Sequence, residues 1–299
     1  MVMLKGISAG LAAGALWGLV FVAPRMTPGL SPVDLAAGRF VSFGGLSALL
    51  MLWQWQTLRL PSLNQALFAV LMSVLGYTGY YLLLVLSIKD LGTELPALII
   101  GTIPLWVMLL GRPAGLSWKA WLPGLALTAA GLLLMAQAVL YLPGVDVHPD
   151  FWRGIFYATA AMVLWTAFAV LNSSWLKSHP DLRASDWANW LGVSTGLGAI
   201  AMWWLLGSES KVLLALDGIA KAAIICIATG LGSAWLATLL WNVASQRLSA
   251  SLCGQLIVSE TIFALLYSFA WDGLWPTSAQ FAACLLFVFG ILISIKAHR

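Results

Sequence analysis

Apolar residues run in long, nearly unbroken stretches along this chain, and the polar residues collect in short gaps between them. A hydrocarbon core about 30 Å thick takes roughly 20 apolar helical residues per crossing. Ten stretches meet that length: 6–24, 33–53, 66–88, 93–111, 120–140, 153–172, 187–206, 218–241, 249–271 and 277–296. The pattern predicts an all-α membrane protein of ten transmembrane helices. Even a long gap such as "SSWLKSHPDLRASDW" (173–187) is too short to fold as a soluble domain. The first stretch follows Lys5 in the manner of a signal peptide, but its sequence returns at the sixth, which marks it as a permanent helix.

Composition strengthens this reading. Of 299 residues, 61% are hydrophobic and 9% charged, and the mean hydropathy is +0.93. Soluble domains carry about 25% charged residues, so this surface needs lipid. The net charge of +4 comes from basic residues scattered singly, which is no footprint for nucleic acid. Cys226, Cys253 and Cys284 lie inside apolar runs without a CxxC spacing, and His148, His179 and His298 fall in loops or the tail. That arrangement argues against a disulfide or a metal site, and no cofactor is expected.

Loop charge sets the orientation. With a cytoplasmic N-terminus, nine basic residues lie inside (Lys5, Arg59, Arg112, Lys119, Lys177, Arg183, Arg247, Lys296, Arg299). Five lie outside (Arg25, Lys89, Arg153, Lys211, Lys221), so both termini are expected inside and the 142–152 loop outside.

The chain also repeats. "KGISAGLAAGALWGLVFV" (5–22) set above "RGIFYATAAMVLWTAFAV" (153–170) gives seven identities in eighteen positions, among them Trp17 with Trp165. A weaker echo at an offset of 157 links 82–92 with 239–249. The expectation is two five-helix halves, 1–143 and 144–299, in one integral membrane domain. Five is odd, so the second half enters from the opposite face. Halves related in that way rock about a central site and expose it to each side in turn, which favours a transporter.

Several in-span residues are candidates to meet a substrate. Gly6, Gly10, Gly14 and Gly18 make one small-residue stripe for close helix packing. Trp17 flanks that stripe about 100° from Gly18, placed either against a central space or in a packing gap. The third helix carries Ser73, Tyr77, Tyr80, Tyr81 and Ser87 at helical spacings. An unpaired hydroxyl in hydrocarbon costs several kcal/mol, so a wet interior face suits them better than lipid. Tyr157, Trp165 and Asn172 repeat the pattern in the sixth helix. Trp235, Thr238, Asn242 and Ser245 do so in the eighth, and Ser251, Gln255 and Ser259 in the ninth. Such stripes either line an amphipathic cavity or hydrogen-bond neighbouring helices. Trp106 stands two residues beyond Pro104, whose missing N–H frees a carbonyl and makes a hinge or a contact there. Two charges lie within spans. Arg39 is about two turns into its helix, close enough to snorkel, and a structural role is expected. Glu260 lies near the midplane, where a charge costs at least about 2.5 kcal/mol on insertion scales and marks a functional candidate.

"ALWG" (15–18), "AAGRF" (36–40), "TIPLW" (102–106) and "FVFGILI" (287–293), in that order, resemble the drug/metabolite transporter superfamily in its ten-helix EamA-type branch. The likeness covers nearly the whole chain. "GYTGYYLLLVLSI", "QLIVSETIFALLYSFAWDGLWPT" and the seventeen tryptophans are similar to bacterial exporters of aromatic amino acids. The chain departs from the family at Ser259-Glu260, where a proline is usual, and at Arg112, where an acid is usual. The family carries an arginine at the place of Arg39.

The resemblance implies an inner-membrane, multi-pass exporter of aromatic amino acids and related compounds, working as a monomer. Trp17, Tyr77, Tyr80, Tyr81, Trp106, Trp165, Trp235, Asn242, Gln255, Ser259 and Glu260 are then the substrate-binding candidates. Gly14, Gly18, Arg39 and Pro104 are hinge or structural ones. A broad exporter of hydrophobic drugs is the alternative. An intramembrane enzyme would need paired catalytic carboxylates, HExxH or GxSxG, and none occurs. A scaffold would not need the in-span polar residues.

Overall fold

The computed structural model describes residues 2–56, 60–91, 94–140, 150–273 and 275–298. Arg59, Gly92, His148, Arg299, the proposed 143/144 boundary and most of the 142–152 loop lie outside them. Among the described residues there is no strand, and eight helices are long and apolar enough to cross a membrane. They are α1 (Val2–Phe21), α2 (Pro32–Trp53), α3 (Leu63–Leu91), α5 (Trp118–Leu140), α6 (Phe151–Ser178), α8 (Ile219–Arg247), α9 (Ala250–Asp272) and α10 (Ser278–Ala297).

Two further segments differ from these. A shorter apolar stretch, α4 (Leu95–Leu110), is interrupted at Thr102, two residues before Pro104. There the Thr102 N–H and hydroxyl both turn back to the Ile99 carbonyl. The other, α7 (Ala184–Leu206), is a 23-residue helix diluted by Asp186, Asn189 and Thr195, all of which are buried within the protein. Its polarity faces neighbouring helices.

Helix ends follow local chemistry. Ser31, Ser62, Ser249 and Thr277 cap α2, α3, α9 and α10 by accepting from a backbone N–H in the first turn. Both α6 and α8 run past the apolar stretches that predicted them, to Ser178 and Arg247. Asn242 and Gln246 lie in the extension of α8, and Asn172 closes the expected stretch of α6; all three bond other helices or loops.

Helices α3 and α8 share a distortion. Each widens by a π-turn in mid-span, at Val74–Thr78 in α3 and Gly230–Leu236 in α8. Such single-turn insertions are rare in proteins and frequent at functional sites.

Packing pairs α2 with α7, α5 with α10 and α4 with α9, while α1 lies against α8 and α9 and α6 lies against α3 and α4. Glycine makes the closest seams. A methyl group at Gly44 would come within 2.7 Å of the Gly196 Cα, so the α2 and α7 backbones touch. Along α1 the predicted stripe is a seam to α9 and its approach. A side chain at Gly6 would meet Leu248 and one at Gly10 would meet Leu256; Gly14 abuts Ser259, and Gly18 abuts the backbone of Ala264. In lipid there is no hydrophobic drive between helices, so this close van der Waals contact holds them together.

Overpacking a tight site costs roughly 1–3 kcal/mol. Gly10→Leu therefore lowers the unfolding temperature of the detergent-solubilised protein, whereas Gly45→Leu, where a Cβ meets nothing within 4 Å, leaves it unchanged. Equal unfolding temperatures would remove the seam from the account.

Candidate functional site

The two tryptophans that recur in sequence meet in space. Trp17 on α1 and Trp165 on α6 stand edge to face with ring centroids 6.1 Å apart. Trp241 on α8 completes the group, 5.4 Å from Trp17 and 6.3 Å from Trp165. Trp241 is sealed, with its indole N–H unpartnered, while Trp17 and Trp165 are half-buried. Sequence reasoning missed Trp241, although it stands three residues beyond Thr238 and next to Asn242 on the polar stripe of α8.

Most of the polar candidates are ties between helices. The Tyr77 hydroxyl lies 2.6 Å from the Thr238 hydroxyl, inside a cage of Phe40, Phe43 and Phe168 rings. Asn242 accepts from Asn172 at 3.1 Å, and Asn172 in turn accepts from the Trp187 indole at 2.6 Å. Gln255 is fixed between Thr128 of α5 and Ser294 of α10. Ser259 donates to the Leu256 carbonyl against Gly14. The Trp235 indole donates to Asn189 of α7 at 2.8 Å, and the Tyr81 hydroxyl donates to the Pro32 carbonyl at 3.0 Å. Trp106 is 45% exposed, and its indole donates to Thr102 at 3.2 Å.

A smaller set stays open. Arg39, Tyr80 and Glu260 are each half-buried, and they lie within electrostatic reach of one another from α2, α3 and α9. No hydrogen bond or ion pair joins the Arg39 guanidinium or the Glu260 carboxylate to any described residue. The surroundings are graded along the bundle. Residues 251–259, on the half of α9 nearer the N-terminus, are all buried, whereas Glu260 to Phe263 are all partly exposed. Residues 79–86 of α3 are likewise all partly exposed over two turns. A helix with accessible surface on every side has open space on more than its lipid face, and Tyr80 stands in that stretch.

At the end away from the N-terminus, α2 and α7 are joined by Asp34. Its carboxylate accepts from the Trp203 indole at 3.0 Å, from the Ser208 N–H at 3.0 Å and from the Ser208 hydroxyl at 2.7 Å. A cavity of about 210 Å³ opens on the same end, between residues 26–30 and 216–222. None of the predicted site residues lines it. Among the described residues no three His, Cys, Asp or Glu side chains converge as metal ligands would.

Comparison with known proteins decides the family. Residues 4–137 match the EamA-like transporter family. Over 99% of its length the chain is 30% identical to 96% of the inner membrane protein YtfF of Escherichia coli strain K12. The chain belongs to the EamA-like transporters, within the drug/metabolite transporter superfamily. A crystal structure of a protein only 18% identical shares the fold over 97% of both chains, with a TM-score of 0.78. This EamA-like transporter is accordingly a multi-pass inner membrane protein that carries small molecules across a lipid bilayer.

Ring contacts contribute about 0.5–1.5 kcal/mol each, and Trp17 makes two within the cluster. In cells expressing each variant at wild-type level, Trp17→Ala and Trp165→Ala lower substrate efflux several-fold. Trp53→Ala, at a residue 82% exposed, does not. Equal and mild effects at all three positions would return Trp17 and Trp165 to plain packing.

Proposed function

We propose that this transporter exports aromatic amino acids and related compounds by alternating access between two inverted five-helix halves, with both termini cytoplasmic. One observation carries the substrate reading: the tryptophan cluster lies on helices that neighbour a partly exposed carboxylate, Glu260, which has no hydrogen bond or ion pair to a described residue. An aromatic side chain gains ring contacts from the cluster, and its ammonium meets the carboxylate. In lipid an unpaired acid is a costly feature, retained where it serves an ion or substrate path.

The halves find support in packing. Exchanging α1 with α6, α2 with α7, α3 with α8, α4 with α9 and α5 with α10 turns the most extensively packed pairs into one another, although α6 also packs on α8 without a matching contact of similar extent between α1 and α3. Contacts of α1 with α8 and α9 become those of α6 with α3 and α4, the contact of α2 with α8 becomes that of α7 with α3, and α2–α7, α4–α9 and α5–α10 map onto themselves. Finer detail agrees. A side chain at Gly6 would meet Arg247 and Leu248, and one at Gly154 would meet Asp90 and Leu91. Those partners are separated by the same 157-residue offset as the sequence echo, and the two π-turns occupy exchanged helices, α3 and α8. A broad exporter of hydrophobic drugs would use the same rings without needing Glu260.

Two experiments separate these readings. Proteoliposomes carrying the wild-type protein take up labelled L-phenylalanine above empty vesicles, and Glu260→Gln, which keeps size and hydrogen bonding, abolishes most of that uptake. The variant keeps more of any activity towards uncharged aromatic compounds. Absence of amino-acid uptake by the wild type would sink the substrate reading, and unchanged affinity in Glu260→Gln would make the carboxylate structural. For orientation, a single cysteine at Lys211 in a cysteine-free background is labelled by an impermeant reagent in intact cells. One at Asp181 is labelled only after lysis, and the reverse result would invert the topology.

A further inference from the structure

Arg39 has more donors than the chain uses. A guanidinium carries five N–H groups and never loses its charge. Among the described residues none of the five is engaged: Nε is sealed and unpartnered, and no hydrogen bond or ion pair reaches the terminal nitrogens. Its neighbour Phe40 presents its ring to the ion, 4.6 Å from the guanidinium carbon. Buried donors almost always have partners, and a span interior offers no bulk water to supply them. Asp34, Gln255, Asn172 and Asn242 are all engaged, and the other buried atoms left without a partner are on neutral groups such as the Ser47 hydroxyl and the Trp241 indole, or on His298 near the end of the chain.

Snorkelling does not account for the arrangement. An arginine that snorkels carries its head out of the bundle to the interface. Here the guanidinium lies inside, within electrostatic reach of Tyr80, Tyr81, Cys226 and Glu260, which come from α3, α8 and α9. Nor is Arg39 the counter-ion that neutralises Glu260. Both groups are partly exposed and within electrostatic reach of each other, and no ion pair joins them.

We propose that Arg39 is the anion-binding half of a dipolar site and holds the carboxylate of an α-amino acid whose ammonium lies at Glu260. The proposal rests on the amino-acid reading of this transporter given above and adds what reads the acid end. Because Nε is sealed, the carboxylate meets the guanidinium end-on, with the two terminal nitrogens donating to its two oxygens. That is the bidentate geometry in which arginine surpasses lysine. Tyr80, whose hydroxyl has no hydrogen bond to a described residue, is in electrostatic reach of both charges. It supplies a neutral donor between them. Such a site distinguishes a zwitterion from an aromatic amine or an aromatic acid, because either one leaves one protein charge unmet.

The test uses the full-length protein in proteoliposomes, with labelled L-phenylalanine as probe. Phenethylamine, which lacks the carboxylate, and 3-phenylpropionate, which lacks the ammonium, serve as competitors. In the wild type each competitor is expected to be at least about tenfold weaker than unlabelled L-phenylalanine, the scale of one lost charge-assisted pair. Arg39→Gln is expected to weaken L-phenylalanine roughly tenfold to a hundredfold on the same scale and to leave phenethylamine competition against residual uptake unchanged. Arg39→Lys recovers only part of the loss. Phenethylamine competing as well as L-phenylalanine in the wild type would overturn the proposal without any variant, so a failure of Arg39→Gln to fold does not shelter it. Wild-type affinity for L-phenylalanine in a folded Arg39→Gln protein would overturn it as well, while leaving the amino-acid reading intact. If the wild type takes up no amino acid, the failure lies with that earlier reading, and this one falls with it.

Discussion

Hydrocarbon cannot hydrogen-bond, and that constraint orders nearly everything in this molecule. Most polar side chains carried into a span find a partner in another helix or in their own backbone, and those that do not, apart from Arg39 and Glu260, are neutral hydroxyls and indoles such as Ser47 and Trp241. The helices are accordingly held by cross-links such as Ser73 to Thr195, Tyr77 to Thr238, Trp121 to Ser251 and Gln255 to Thr128. Between those ties the glycine seams bring backbones into contact, so the attraction is close packing rather than solvent exclusion. Against this background an unmet charge stands out as sharply as a buried lysine would in a soluble core.

That contrast explains what was legible in the sequence. Span positions came from apolar length alone; among the described residues eight helices of spanning length overlap them, and α6 and α8 run on past the expected ends. The glycine stripe of α1 was readable because its period of four is geometric and needs no knowledge of the partner helix. Recurrence of the tryptophan motif pointed to a special pair, and Trp17 does touch Trp165. What periodicity could not tell was the difference between a polar residue facing a cavity and one facing another polar residue. Tyr77, Asn242, Gln255 and Ser259 carry the same sequence signal as Tyr80, yet they are engaged. The distinction lies in residues such as Thr238, Asn172, Thr128 and Ser294, distant in sequence and brought near only by folding. Trp241 escaped notice for a related reason, since its neighbours in the ring cluster come from α1 and α6.

Arg39 raises the opposite question. A charge two turns from a helix end reads as a snorkelling anchor when only its own helix is considered. Its meaning depends on what α3, α8 and α9 place around it, and the surroundings contain an acid that does not neutralise it.

The π-turns of α3 and α8 have a further consequence for how the chain tolerates editing. A π-turn is one surplus residue stored inside a helix. Removing a residue from Val74–Thr78 would let α3 relax to regular winding, with every backbone hydrogen bond still made. The wide turn takes up that residue, so Tyr80 and Tyr81 would stay close to their present faces and only the bulge at Val74–Thr78 would be lost. The same deletion in the regular winding beyond it would turn everything downstream by about 100°. The bulge is thus the place in α3 where one residue can be removed without re-aiming the rest of the helix.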